Sequence, residues 1–171
     1  GVAAIQLEDQ TFPKRCGHLE GKQVVPVEEM CEKIASAAAA RRDENLVLIA
    51  RTDARATDGI DAAIDRATRY LEAGADWIFP EALKTKDEFA QFAAAIQSPL
   101  IANMTEFGAG PLLSLTELAD LGLAAVLYPV TLLRVAMKAI EAALAVILDA
   151  GTQEELLDLM QTREQLYELL A

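Results

Sequence analysis

Short apolar runs alternate with helix-like stretches along the whole chain. The run at 46–50 is continuously apolar and too short for a helix, while the stretch from Gly59 to Gly74 carries apolar residues at spacings of three and four. The first pattern is typical of a strand buried on both faces, and the second of an amphipathic helix. The predicted strands are 2–8, 46–50, 76–80, 99–102 and 124–128, and the predicted helices are 28–42, 59–74, 86–96, 115–121, 132–149 and one from Gln153 onward. Five strands that are each followed by a helix predict parallel βα units.

Polar side chains collect where each predicted strand ends. They are Glu8, Asp9 and Gln10 on the first, Arg51, Thr52 and Asp53 on the second, Glu81 on the third, Asn103 to Glu106 on the fourth and Tyr128 on the fifth. A (β/α)8 barrel builds its active site at this end of its strands. A doubly wound sheet also binds ligands there, but it usually carries a GxGxxG loop after its first strand, and this chain has none. We therefore predict an α/β fold of the (β/α)8 TIM-barrel type.

The length of the chain limits how much of a barrel it can form. Its 171 residues fall short of the roughly 250 that are typical of eight units. The chain also opens in a strand-like run and stops inside a helical pattern. We expect a piece of a longer protein: the last five βα units in one partial barrel domain over residues 1–171, with C-terminal helices at 131–171. Five of eight strands would leave open sheet edges, so the sequence does not decide whether this piece folds alone.

The loop after the first strand concentrates reactive groups. Lys14 and Arg15 precede Cys16, and Gly17 and His18, the single histidine, follow it. Neighbouring cations favour the thiolate form of a cysteine, and glycine lets the backbone approach a ligand closely. This loop therefore predicts a proton-transfer group with cations for an acidic substrate. The alternative is a surface loop with a chance cluster of polar residues.

Composition narrows the classes of partner. The net charge of −12 disfavours binding to nucleic acid or to an anionic membrane, and no apolar run is long enough to cross a bilayer. Cys16 and Cys31 do not make a disulfide framework, so we expect a reducing, cytoplasmic setting. Cys31, on an alanine-rich helix face, is interpreted as a small core residue. The predicted partner is a small acidic molecule.

Several segments occur in a recognisable order: 8–10, 13–18, 21–22, 25–26, 29–30, 50–54, 79–82 and 103–108. Together they resemble the isocitrate lyase and phosphoenolpyruvate mutase superfamily over essentially the entire chain. Segment 160–163, followed by Leu166 and Tyr167, resembles the 2-methylisocitrate lyase branch. The resemblance implies cleavage of 2-methylisocitrate to pyruvate and succinate in the methylcitrate cycle of propionate catabolism. Activities on isocitrate, dimethylmalate, oxaloacetate or carboxyphosphonoenolpyruvate stay open, as does a non-catalytic truncated barrel.

The same resemblance implies roles for individual residues in an Mg²⁺-dependent oxo-acid lyase. Cys16 would donate a proton to the departing succinate carbanion, with Lys14, Arg15 and His18 in the same catalytic loop. The implied substrate-binding residues are Cys16, Gly17, Arg51, Glu81, Asn103, Met104, Thr105, Arg134 and Arg163. Glu8 would lie in the outer shell of the metal, whose principal aspartates, like a Ser-Gly-Gly substrate loop, lie upstream of Gly1 in the family. The resemblance also implies a homotetramer, and we expect the 171 residues alone to be inactive.

Each of these residues has a simpler interpretation. Arg51 and Asp53 could form a local ion pair, and His18 could only orient the loop. Asn103 and Thr105 could cap the turn before the next helix. Arg134 could be solvated, and Arg163 could stabilise a helix C-terminus through the helix dipole.

Overall fold

The computed structural model describes residues 1–171 and contains five strands and seven α-helices. The strands are β1 (Ala4–Glu8), β2 (Val47–Thr52), β3 (Trp77–Pro80), β4 (Ile101–Asn103) and β5 (Ala125–Leu127). The helices are α1 (Val27–Ala40), α2 (Ala54–Thr57), α3 (Ile60–Glu72), α4 (Lys86–Ala95), α5 (Leu115–Asp120), α6 (Thr131–Ala150) and α7 (Arg163–Leu170). A 3₁₀ helix at Glu154–Leu159 lies between α6 and α7.

All five predicted strands are present, with their ends displaced by no more than two residues. The sequence pattern missed the four-residue helix α2, which is too short to show a periodicity. The single last helix predicted from Gln153 is wrong, because that stretch forms the 3₁₀ helix and then α7. The prediction that the second strand is buried on both faces is also wrong. In β2, Leu48, Ala50 and Thr52 are buried while the alternating residues are half-buried, since α1 and α3 cover only one face of this strand.

The strands neighbour one another in chain order. β1, β2 and β3 form one parallel sheet, and β4 and β5 form a parallel pair. A parallel bridge between Ile78 and Leu100 joins β3 to β4. A doubly wound sheet would reverse its strand order at a switch point, whereas a barrel does not. The topology is that of five consecutive units of a (β/α)8 barrel, as predicted.

The core lies between the sheet and the helices that cover it. Its largest fully buried apolar side chains include Met30 and Ile34 of α1, Tyr70 of α3, Phe92 of α4 and Ile78 of β3. Packing of these helices against one face leaves the carboxyl ends of the strands free to carry polar groups.

The chain divides into two compact units, Gly1–Pro129 and Val130–Ala171. It stays a prediction that residues 1–171 make a single partial barrel domain with C-terminal helices at 131–171. In the second unit α6 ends at Gly151, whose φ of 66° suits glycine, and Leu156 is the one buried residue. None of the helices has the length and apolar character needed to cross a membrane.

Candidate functional site

Arg51 is the centre of the charged cluster at the carboxyl ends of the strands. Its Nε lies 2.8 Å from Asp53 Oδ2 and 3.5 Å from Glu8 Oε2. Its Nη1 lies 3.2 Å from Glu81 Oε2, and its guanidinium stands 5.2 Å from the centre of the Phe79 ring. The predicted local pair of Arg51 with Asp53 is therefore present, as part of a larger cluster. Three adjacent strands supply it, because parallel strands place their carboxyl ends at one edge.

Glu81 is buried within this cluster. His18 Nε2 lies 3.0 Å from its Oε1, and Asn103 Nδ2 donates to Oε2 at 3.3 Å. Burial alone would raise the pKa of Glu81, but the close approach of His18 and the positive charge of Arg51 lower that pKa below its ordinary value. Glu81 is therefore an ionised carboxylate near neutral pH.

The loop 14–18 packs directly on these strand ends. A Cβ added to Gly17 would lie 2.6 Å from Glu81 Cδ and 2.7 Å from Arg51 Nη2, so only glycine fits there. Cys16 is exposed and carries a free thiol. The contact of Gly17 places Cys16 one residue away from the Arg51–Glu81 pair.

The two cations of the loop, Lys14 and Arg15, each make a hydrogen bond to another residue of the chain. Lys14 Nζ donates to Glu8 Oε2 at 2.8 Å, and Arg15 Nη1 donates to the carbonyl oxygen of Glu20 at 3.5 Å. Lys14 therefore joins the loop to β1, and Arg15 braces the loop internally.

His18 links the loop to a second loop. Its Nδ1 accepts a hydrogen bond of 3.0 Å from the backbone N–H of Ala109, so Nε2 carries the proton that faces Glu81. Gly108 packs so closely that a Cβ there would lie 2.6 Å from His18 Nδ1. His18 thus orients Glu81 and both loops, which agrees with the simpler interpretation of its role.

Two buried oxygens at the end of β4 and just after it have no hydrogen-bond partner: Oδ1 of Asn103, whose amide group contacts Glu81, and Oγ1 of Thr105. Buried polar atoms are usually paired, so unpaired ones here are suited to a ligand. The interpretation of Asn103 and Thr105 as caps of the turn before α5 is wrong for these two oxygens, because neither accepts a hydrogen bond from that turn; the helix itself is capped by Ser114. The side chain of Met104 is buried in the core, where its sulfur accepts from the N–H of Leu113 at 3.3 Å.

Arg134 and Arg163 belong to the second compact unit, Val130–Ala171. Arg134 lies in the first turn of α6 and is exposed. Arg163 is the first residue of α7, following the N-cap Thr162. It therefore cannot stabilise the C-terminus of α7, and its interpretation as a partner of another helix C-terminus stays a prediction.

Three buried charged residues of the site were missing from the predicted set: Asp9, Asp53 and Lys22. Asp9 Oδ2 accepts hydrogen bonds of 2.8 Å from Thr52 Oγ1 and Tyr70 Oη, and burial raises the pKa of Asp9. The position of the two aspartates at the ends of predicted strands indicated that they could belong to the site. No pattern in the sequence indicated that Lys22 is buried.

The residues present do not fit a metal ion. No group of three or more His, Cys, Asp or Glu side chains is arranged to hold one. Glu8 is paired with Lys14, Asp53 with Arg51, and Glu81 with Arg51 and His18. The carboxylates that could act as ligands are thus already matched by cations of the chain.

The sequence profile described as phosphoenolpyruvate phosphomutase matches residues 1–148. The chain belongs to this family. Among its relatives, the probable 2-methylisocitrate lyase 1 of Corynebacterium glutamicum is 57% identical over 99% of the chain. The 2-methylisocitrate lyase of Bacillus subtilis is 52% identical, also over 99% of the chain. The chain spans 56% of the length of each of these two family members.

Solved structures of the family share the fold. A 2,3-dimethylmalate lyase superimposes with a TM-score of 0.89 at 33% identity, over 98% of this chain and 56% of that one. Phosphonopyruvate hydrolase in complex with oxalate and Mg²⁺ gives a TM-score of 0.83 at 32% identity, over 99% of this chain and 59% of that one. These likenesses support the barrel topology read from the strand order.

Proposed function

We propose that this chain is part of a carbon–carbon lyase that cleaves 2-methylisocitrate to pyruvate and succinate. The observation that carries the proposal is the packing of Gly17 on Glu81 and Arg51, which holds Cys16 beside the strand ends. The names of the two relatives supply the substrate.

In the proposed reaction, the bond between the hydroxyl-bearing carbon and its neighbour breaks. The hydroxyl gives its proton to solvent and its oxygen becomes the keto oxygen of pyruvate, while the electron pair of the broken bond stays on the carbon of the departing succinate. Cys16 gives its proton to that carbon as a general acid and is reprotonated from solvent. The single hydroxyl of the substrate donates to the ionised Glu81, which Asn103 Nδ2 orients. The Thr105 hydroxyl, which has no other partner, donates to a substrate carboxylate.

Recognition of the substrate carboxylates needs cations beyond Arg51. That guanidinium is already shared by Glu8, Asp53 and Glu81, so its charge is balanced before any substrate arrives. The family resemblance implies such contacts for Arg134 and Arg163, whose planar guanidinium groups suit carboxylates.

We further propose that Mg²⁺ takes part, as it is present in the phosphonopyruvate hydrolase structure, with ligands from outside these residues. A cytoplasmic homotetramer completes the proposal by family resemblance. Because the chain forms no metal cluster of its own, we expect the 171 residues alone to show no turnover.

A panel of substrates tests the proposal on the protein as its natural gene encodes it. With Mg²⁺ present, kcat/KM would be measured for 2-methylisocitrate, isocitrate, 2,3-dimethylmalate, oxaloacetate and carboxyphosphonoenolpyruvate, and products would be identified by chromatography. We expect the highest kcat/KM for 2-methylisocitrate, with pyruvate and succinate in equal amounts. A higher value for another compound, or no turnover of any, would overturn the proposal.

A further inference from the structure

Lys22 is a buried lysine that the proposed chemistry does not use. It lies in the loop between β1 and α1, and its side chain is 3% exposed. Lysine is rarely buried to this degree unless its charge is paired. Its Nζ donates to the carbonyl oxygen of Gly17 and lies 3.8 Å from Asp53 Oδ1.

Asp53 is itself held rigidly. It is fully buried at the end of β2, and its backbone N–H donates to Asp9 Oδ1 at 2.8 Å. Asp9 is held in turn by the hydroxyl groups of Thr52 and Tyr70, which belong to β2 and α3. The ammonium of Lys22 is therefore anchored to the barrel and not to the loop alone.

The other contact of Lys22 is with Gly17, the residue next to the proposed proton donor Cys16. Gly17 touches Glu81 and Arg51, and it follows Cys16 directly. A hydrogen bond to its carbonyl oxygen fixes the peptide unit next to the thiol. The path from Asp9 through Asp53 and Lys22 to Gly17 runs from the buried end of β1 to the reactive loop.

We propose that Lys22 is a positioning residue, which acts through Gly17 to hold Cys16 over the strand ends. That the positioned group is a catalytic thiol rests on the proposed function. That Lys22 restrains the loop does not rest on it, because this follows from the contacts of Lys22 with Gly17 and Asp53 alone. A displacement of about 1 Å at a reacting group lowers a rate about 100-fold, so such an anchor has a measurable effect.

The test compares Lys22→Met and Lys22→Arg with a control, Lys33→Met, in the protein as its natural gene encodes it. Lys33 is an exposed lysine of α1 that pairs with Glu29. Two quantities are measured: kcat and KM for 2-methylisocitrate, and the rate at which trypsin cuts the native protein after Lys14 and Arg15, followed by mass spectrometry. Tryptic cutting of a native loop reports how often that loop opens.

For Lys22→Met we expect kcat about 100-fold lower, KM within about threefold of the parent, and tryptic cutting about tenfold faster. Lys22→Arg, which keeps the charge, restores most of kcat and slow cutting. The control behaves as the parent in both measurements. A raised KM with unchanged kcat would mean that Lys22 binds substrate directly and would overturn the inference.

Unchanged kcat together with unchanged cutting in Lys22→Met would also overturn it. If the parent protein cleaves none of the substrates, the proposed function fails, yet the cutting rates still decide the role of Lys22. Equal rates of tryptic cutting for parent and variant would then show that Lys22 does not restrain the loop, and faster cutting in the variant would show that it does. Should Lys22→Met not fold by circular dichroism, Lys22→Gln is measured against the same criteria.

Discussion

Gly17 has no room for a side chain, although its backbone conformation would tolerate one. Its φ is not positive, unlike that of Gly21 or Gly59, so any effect of a substitution comes from contact with neighbours. Those neighbours are Glu81, 1% exposed, and the half-buried Arg51, and neither can move away without breaking the charged cluster.

The substitution Gly17→Ala is expected to displace the loop. The added methyl group would lie 2.6 Å from Glu81 Cδ, and kcat for 2-methylisocitrate should fall about 100-fold. The melting temperature should change little, because the loop lies outside the core. Steady-state kinetics and circular dichroism check this pair of results. A parental kcat in the Gly17→Ala variant would show that the loop does not sit on Glu81.

The ionised state of Glu81 makes a pH-dependent contribution to stability. Since its pKa is lowered in the folded state, the unfolded chain binds more protons in the acid range. The stabilisation is complete above the ordinary glutamate pKa of about 4.5 and is lost as the pH falls through the lower folded value.

The variant Glu81→Gln should therefore lose about 2 kcal/mol of unfolding free energy at pH 7, and this deficit should shrink below about pH 4.5. Urea denaturation at several pH values measures it. Glu32→Gln, at an exposed position of α1, serves as the control and should show no such dependence. A deficit that stays constant down to pH 3 would contradict the assignment.

At the level of elements, α3 is tied to the ends of β1 and β2 through one hydroxyl group. Tyr70 Oη donates to Asp9 Oδ2 at 2.8 Å and accepts from Arg66 Nη1 at 3.1 Å. Burial raises the pKa of Tyr70, so the phenol stays protonated and keeps donating. Without it, the buried carboxylate of Asp9 would lose a donor.

Tyr70→Phe should lower the unfolding free energy by about 1–3 kcal/mol, because a buried acceptor is left under-satisfied. The matched control is Tyr128→Phe, since Tyr128 is 52% exposed, and its effect should stay within about 0.5 kcal/mol. Urea denaturation monitored by circular dichroism compares the two. Equal effects would mean that the Asp9 network does not join α3 to the sheet.

Elements and contacts differ in how far the sequence predicts them. The alternation of short apolar runs with three- and four-residue spacings predicted every strand, because burial imposes those periods. The four-residue helix α2 and the 3₁₀ helix at Glu154–Leu159 left no such period. The burial of Lys22 depends on Asp53, 31 positions further along, and no local pattern encodes a contact of that range.

At the level of the whole molecule, the order of the strands distinguishes a barrel from a doubly wound sheet, and residues 1–148 match the family profile. The barrel explains why segments far apart in sequence meet. Cys16 follows β1, Arg51 ends β2, Glu81 follows β3 and Asn103 ends β4. Strand-end position therefore predicted that Arg51, Glu81 and Asn103 lie together, as they do. Their roles in substrate binding, like those of Arg134 and Arg163 in the second compact unit, stay predictions.

Cys16 is the proposed proton donor, and the second free cysteine of the chain, Cys31, offers a direct comparison. In the protein as its natural gene encodes it, kcat for pyruvate release from 2-methylisocitrate would be measured for Cys16→Ser and Cys31→Ser. Cys31 is half-buried in α1, where its sulfur contacts the carbonyl oxygen of Arg69 at 3.7 Å. We predict a loss of about 100-fold or more for Cys16→Ser and a near-parental rate for Cys31→Ser. A parental rate in Cys16→Ser would contradict the role of Cys16 as proton donor.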